Sequence, residues 1–159
     1  MSHFKFYSAY EYISNLDYML DKPLKTDNYY PSELSLSLID ERILDLALKF
    51  NSDADSSIMK AYTRLEDIIR KKIDSQKFSS SLMEDAFCSD LKKNRLSVFK
   101  WEAENEEAST AIGRLFVNTF KAYRNQRAHS EVNKSFQQLQ REFLLINELY
   151  LLECEAIKR

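Results

Sequence analysis

Glycine is almost missing from this chain. Gly113 is its single example, and Pro23 and Pro31 are the only prolines. Tight β-turns draw on those two residue types, so a sandwich or barrel of many short strands is poorly supplied. Long helices joined by few loops remain, and the expected fold is all-α. Cysteine is scarce too. Cys88 and Cys154 lie far apart, with no CxxC or Cys/His ligand spacing. That pattern excludes a disulfide framework and a zinc site, and it leaves two small, buried apolar residues. There is no glycine-rich phosphate loop and no Gly-x-Ser-x-Gly elbow. Neither a metal nor a cofactor is expected. Histidine is confined to His3 and His129, so imidazole chemistry rests on His129.

Long apolar runs are also lacking. The most apolar stretch, Phe143 to Leu152, is interrupted by Asn147 and Glu148 and is about half of what a membrane span needs. The first residues carry Tyr, Glu and Lys, where a secretory signal has a basic end followed by an apolar run. A cytoplasmic protein without membrane association is the expectation. The net charge of −2 does not fit a general nucleic-acid binder, so any polyanion site must be a local patch.

What is present reads as one globular domain: 159 residues, 44% hydrophobic and 30% charged, enough to bury a core without staples. Residues 1–30 are rich in Tyr and Phe and are expected to be a helical extension packed on a bundle spanning residues 31–159. Within that extension, Ser8 to Leu20 can form a short helix. The bundle should contain about five to six helices. Leu34, Leu38, Leu44 and Leu48 mark one running to about Phe50, and Asn51-Ser52-Asp53 offers a cap for the next. Ile58, Tyr62, Leu65, Ile69 and Ile73 recur at steps of four and three, which predicts a long helix near 55–73 with one buried stripe.

Ser79 to Asp90 suggests a short helix, while Lys92 to Trp101 fits either a loop or a frayed turn. A second long helix is expected near 104–124, with Ala108, Ile112, Leu115, Phe116, Phe120 and Tyr123 apolar. Its Glu104, Glu106 and Glu107 come early and its cations late, as the helix dipole favours. Gly113 inside that helix costs about 1 kcal/mol relative to Ala, which close approach of a neighbouring helix would justify. A third long helix is expected near 131–157, capped by Ser130.

From Arg114 to His129 the chain carries Arg114, Lys121, Arg124 and Arg127 and no acidic residue. On a regular helix Arg114 and Lys121 fall within about 20° of each other, with Arg124 nearby. This basic strip ends at the one internal histidine. It reads either as a phosphate-binding face or as ordinary cations at a helix C-terminus.

The run Arg124-Asn125-Gln126-Arg127-Ala128-His129 resembles the motif of the HEPN superfamily, small helical domains marked by Arg, four to six residues, then His. More closely, the chain is similar to the bacterial family once labelled hypothetical Ymh proteins, grouped with abortive-infection proteins. Three further blocks carry the likeness: Ala61 to Arg70, Ser81 to Phe87, and Gly113 to Phe116. Two positions depart from the pattern. Gln126 stands where the family commonly has Pro. Glu131 stands where many nucleotidyltransferase-controlled HEPN toxins have Tyr, which argues against control by tyrosine adenylylation.

The resemblance implies a metal-independent endoribonuclease, acting as a toxin or antiviral effector, with single-stranded RNA as substrate and an antitoxin or other defence protein as a further partner. It implies a homodimer that brings two Arg–His motifs into one cleft. Arg124 and His129 would be catalytic, and Asn125, Glu66 and Arg70 would support them. Arg114, Lys121 and Arg127 would touch RNA. Each has a plainer alternative: Asn125 as a helix C-cap, Glu66 and Arg70 as a surface i,i+4 ion pair, Tyr123 as core, Arg127 as solvated. A non-catalytic module binding nucleic acid or protein, or a purely structural dimerisation partner, stands as the competing reading. For Arg124 and His129 to converge within one chain, the helix has to break between them, because five residues span about 140°.

Overall fold

The computed structural model describes residues 34–102, 105–129 and 133–159, with the backbone alone at His129. The extension expected over residues 1–30 lies outside the described residues, as does Ser130. Leu34 to Phe50 is not the single helix expected. Two 3-10 turns, Leu36–Leu38 and Glu41–Ile43, precede a short helix α1, Leu44–Lys49. The reason lies in Asn147, which takes the Asp40 N–H at 2.7 Å and donates to the Leu38 carbonyl at 2.8 Å. Backbone groups that a helix would pair internally are thus satisfied across the bundle. Leu38 and Leu48 face solvent, whereas Ile43, Leu46, Ala47 and Phe50 are buried.

Helix α2, Ala54–Ile73, follows the expected stripe. The Asp53 carboxylate caps it by accepting from Ser56 N at 3.2 Å, and Asp74 ends it in the left-handed region at φ 49°. Helix α3 is Ser79–Phe87. The stretch from Lys92 to Trp101 resolves into the end of a 3-10 turn, Leu91–Lys93, and a short strand β1, Phe99–Lys100. Strand β1 pairs antiparallel with β2, Ile157–Lys158, matching Phe99 to Lys158 and Lys100 to Ile157. Helix α4, Glu106–Thr119, begins two residues later than expected because Asn105 caps it through Ala108 N at 2.8 Å. A π turn, Phe120–Arg124, leads into α5, Asn125–His129. The last helix, α6, is Phe136–Glu155; Ser135 and Gln138 form its capping box. All-α is the right class, with a minimal two-stranded sheet attached.

The core lies between α2, α6 and the α3–α4 pair. Tyr62 and Phe120 meet edge to face at 5.3 Å, and Phe87 stacks on Phe116 at 4.2 Å beside Trp101. Trp101 is fixed by its indole N–H, which donates to the Leu152 carbonyl at 2.8 Å. Of the cysteines, Cys88 is buried as expected, but Cys154 is exposed, because it occupies the outward side of α6 next to the buried Glu153. Among the described residues no helix is long and apolar enough to cross a membrane.

Gly113 marks the α3–α4 crossing. A Cβ there would lie 2.2 Å from the Phe87 carbonyl oxygen and 2.8 Å from its carbonyl carbon. Those atoms are backbone and cannot swing aside. Gly113→Ala should therefore push the helices apart and destabilise the domain by about 1–3 kcal/mol, despite alanine's better helix propensity. Urea denaturation of the two proteins checks this, and a stabilised variant would contradict the packing described.

Candidate functional site

The π turn decides which way the motif faces. Its signature bond runs from the Asn125 N–H to the Phe120 carbonyl, five residues back. One extra residue in a turn rotates everything beyond it by roughly 100° relative to a plain α-helix. The basic strip is split as a result. Arg114 and Lys121 stay exposed on a groove of about 890 Å³ that they share with Cys88, Glu84 and Arg95. Arg124 does not line that groove; it turns toward α2. Burial and the Glu84 carboxylate push the Cys88 thiol up, against the pull of Arg114, Arg95 and Lys121. The groove thus holds a neutral thiol and charges of both signs.

Arg124 Nη2 donates to Glu66 Oε2 at 3.1 Å. Glu66 is 2% exposed, so it is not a surface residue. Its other oxygen, Oε1, accepts from the Ser79 N–H and lies 3.7 Å from Arg70 Nη2. Arg70 also donates to Asp67 and lies over the Phe78 ring. Glu66 therefore serves two arginines and a backbone amide, and the buried carboxylate holds Arg124 by one nitrogen of its fork. The rest of the Arg124 guanidinium has no hydrogen bond to another described residue, and a quarter of the side chain, 24%, reaches solvent.

Asn125 turns toward the start of α3, where its Oδ1 accepts from Ser79 Oγ at 2.5 Å. Ser79 has φ 53°, a region that residues other than glycine seldom adopt. Strain of this kind persists where surrounding bonds fix it; here Glu66 takes the Ser79 amide and Asn125 its hydroxyl. Asn125 is therefore neither a helix C-cap nor a residue without tertiary contacts.

Arg127 points a third way. Its Nε and Nη2 donate to Glu142 Oε1 and Oε2 at 2.7 and 3.0 Å, and its Nη1 donates to Asp55. The Arg127 and Glu142 side chains are only 4% and 1% exposed. Burial works to lower the guanidinium, but its bonds to Glu142 and Asp55 outweigh that and raise it. Lys134 adds a second cation to Glu142 at 2.7 Å and lies 4.7 Å over the Tyr123 ring. Arg127 is thus neither solvated nor open to a phosphate. Close by, the fully buried Tyr62 hydroxyl has no hydrogen-bond partner among the described residues. Burial, followed by the nearby Glu142 charge, pushes it well above the ordinary tyrosine range.

Helix α5 runs through His129, so the break that would let Arg124 and His129 converge within one chain does not occur. Position 129 lies about 40° around the axis from Asn125 and about 140° from Arg124. The His129 side chain is outside the described residues. The structure joins Arg124, Asn125, Glu66 and Arg70 in one network and keeps Arg114, Lys121 and Arg127 out of it. Ser79, Glu142 and Asp55 are members of these networks that sequence reasoning missed. Glu142 had a signal: it sits beside Leu139 and Phe143 in the apolar stripe of α6, where a carboxylate needs a buried partner.

Residues 39–151 match the model of the family described as a protein of unknown function (Hypoth_ymh). No curated protein and no solved structure matches the chain. The matched stretch contains Glu66, Arg70, Ser79, Glu142 and all of Arg124 to His129, and the likeness to Ymh-type proteins read from four sequence blocks is borne out. The chain belongs to the Hypoth_ymh family.

Proposed function

We propose that this protein is an endoribonuclease of the HEPN type, in which two copies of the chain bring their Arg124–His129 motifs together on single-stranded RNA. The observation that carries this reading is Arg124. It is half-buried and oriented by the buried Glu66, yet only one of its nitrogens is spent on that bond. A guanidinium held this way is set in direction and still has donors for a phosphate, the geometry that favours bidentate recognition.

Cleavage through the 2′-hydroxyl needs a base, an acid and a cation. The 2′-oxygen attacks phosphorus as an imidazole takes its proton. The bond to the 5′-oxygen breaks as an imidazolium protonates the leaving oxygen, giving a 2′,3′-cyclic phosphate and a free 5′-hydroxyl. Both histidine forms are accessible near neutral pH. One chain offers one suitable histidine, and a second copy would supply the other. Arg124 would stabilise charge on the phosphoryl oxygens. No step calls for a metal, and the resemblance adds the role of toxin or abortive-infection effector, with an antitoxin as a further partner.

Arg114 and Lys121 remain exposed on the groove and would steer the RNA backbone. Arg127 drops out of the RNA-contact set and becomes a structural residue. The test is cleavage of single-stranded RNA by the full chain in excess EDTA, with activity per protomer falling on dilution as dimers dissociate. Salt-sensitive RNA binding without turnover would favour the non-catalytic module instead.

A further inference from the structure

Phe78 is 61% exposed, and nothing about folding asks for that. It occupies the N-cap position of α3 and makes no side-chain cap bond, where Ser, Thr, Asp or Asn would contribute one. It does not join the core either. Its ring is nonetheless ordered by charge: the Arg70 guanidinium lies over it, 4.5 Å from the centroid. From that ring a short chain of contacts leads to the motif. Arg70 Nη2 is 3.7 Å from Glu66 Oε1, and Glu66 Oε2 is 3.1 Å from Arg124 Nη2. The next residue along, the strained Ser79, bonds Asn125. An exposed aromatic face is therefore linked to Arg124 through one arginine and one carboxylate.

We infer that Phe78 is a stacking platform for one unpaired nucleobase of the RNA strand whose phosphate lies on Arg124. The inference rests on the reading of this chain as an RNA-cleaving protein and deepens it by placing a base subsite beside the reactive phosphate. Single-stranded RNA is recognised by stacking splayed bases on aromatic side chains and guanidinium planes, and a layered Arg70–Phe78 pair provides a flat surface backed by positive charge. Bases held in a duplex already stack on their neighbours, so the site selects single strands. Every base has a π face, so the subsite sets strandedness more than sequence.

The experiment uses the full chain and a single-stranded oligoribonucleotide carrying 2-aminopurine, whose fluorescence falls on stacking, with 2′-O-methyl groups that prevent attack by the 2′-oxygen. The wild-type protein is expected to quench the probe, and duplex RNA of the same sequence is expected to compete poorly. Phe78→Ala should weaken binding about ten- to a hundredfold and remove the quench, while Phe78→Trp keeps both. Because the ring is exposed, the alanine variant should melt with the wild type. Equal affinity and quench in Phe78→Ala would overturn the stacking site even if unmodified RNA is cut. Phe78-dependent quenching with no cleavage of unmodified RNA would uphold the stacking site and remove the ribonuclease reading. No RNA binding by the wild type would overturn both.

Discussion

Arg127→Met alone should cost the domain about 3–5 kcal/mol, a large share of the roughly 5–15 kcal/mol that holds a typical domain folded. The reason is what stays behind. Glu142 is 1% exposed, and Arg127 is bonded to both of its carboxylate oxygens. Methionine fills much of the space but leaves the buried carboxylate with Lys134 alone, and leaves Asp55 without its Arg127 bond. Removing both charges is a different matter. Arg127→Met with Glu142→Leu should recover much of the loss, because a buried pair is commonly no better than well-packed apolar residues of its size. Urea unfolding of the single and double variants measures this. A single variant as stable as the wild type would mean that the pair is not desolvated in solution. Loss of RNA cleavage in Arg127→Met would therefore report on folding rather than on phosphate contact.

How much of this was readable in the sequence depends on which force decides each feature. Helix α2 was readable because burial dominates there: Ile58, Tyr62, Leu65 and Ile69 are fully buried, and their spacing is the helix period. Gly113 was readable for a similar reason, since a lone glycine in an apolar helix face signals a backbone packed against it. The first helix was not readable, because leucine spacing there does not follow burial. Leu38 and Leu48 are exposed, and one asparagine 107 residues beyond Asp40 reorganises the backbone. No local pattern announces such a bond. The start of α6 lies at Ser135 and not at the expected Ser130, and Ser135 with Gln138 spells the capping box that marks it.

The candidate site was legible in composition and not in direction. Arg124, Asn125 and Arg127 stand together in the motif, yet each reaches a different element: α2, the start of α3, and α6 with the start of α2. The π turn causes this, and it has no sequence signature of its own. It also separates Arg124 from Arg114 and Lys121, which a regular helix would have kept on nearby faces. Glu66 illustrates the limit most clearly. Its i,i+4 spacing to Arg70 suits a surface ion pair, and only the packing of α2 against the motif shows that its carboxylate is buried and shared with Arg124.

Loss of the His129 imidazole should be the most damaging change to activity. Two copies of the chain would supply both base and acid from this residue, so its removal withdraws both halves of the proton transfer, each worth about 10²- to 10⁴-fold. Arg124→Ala should cost less, about 10²- to 10³-fold, as expected for one donor to developing charge. It would also leave Glu66 with Arg70 and the Ser79 amide alone. The most direct measurement is the rate of single-stranded RNA cleavage in excess EDTA by the wild type, His129→Ala and His129→Gln, at one protein concentration with the folded fraction checked by circular dichroism. Cleavage by the wild type and a drop of at least about a thousandfold in both folded variants is the expected result. Equal cleavage by the variants, or RNA bound but never cut by the wild type, would contradict the assignment of Arg124 and His129 as half of an RNA-cleaving site.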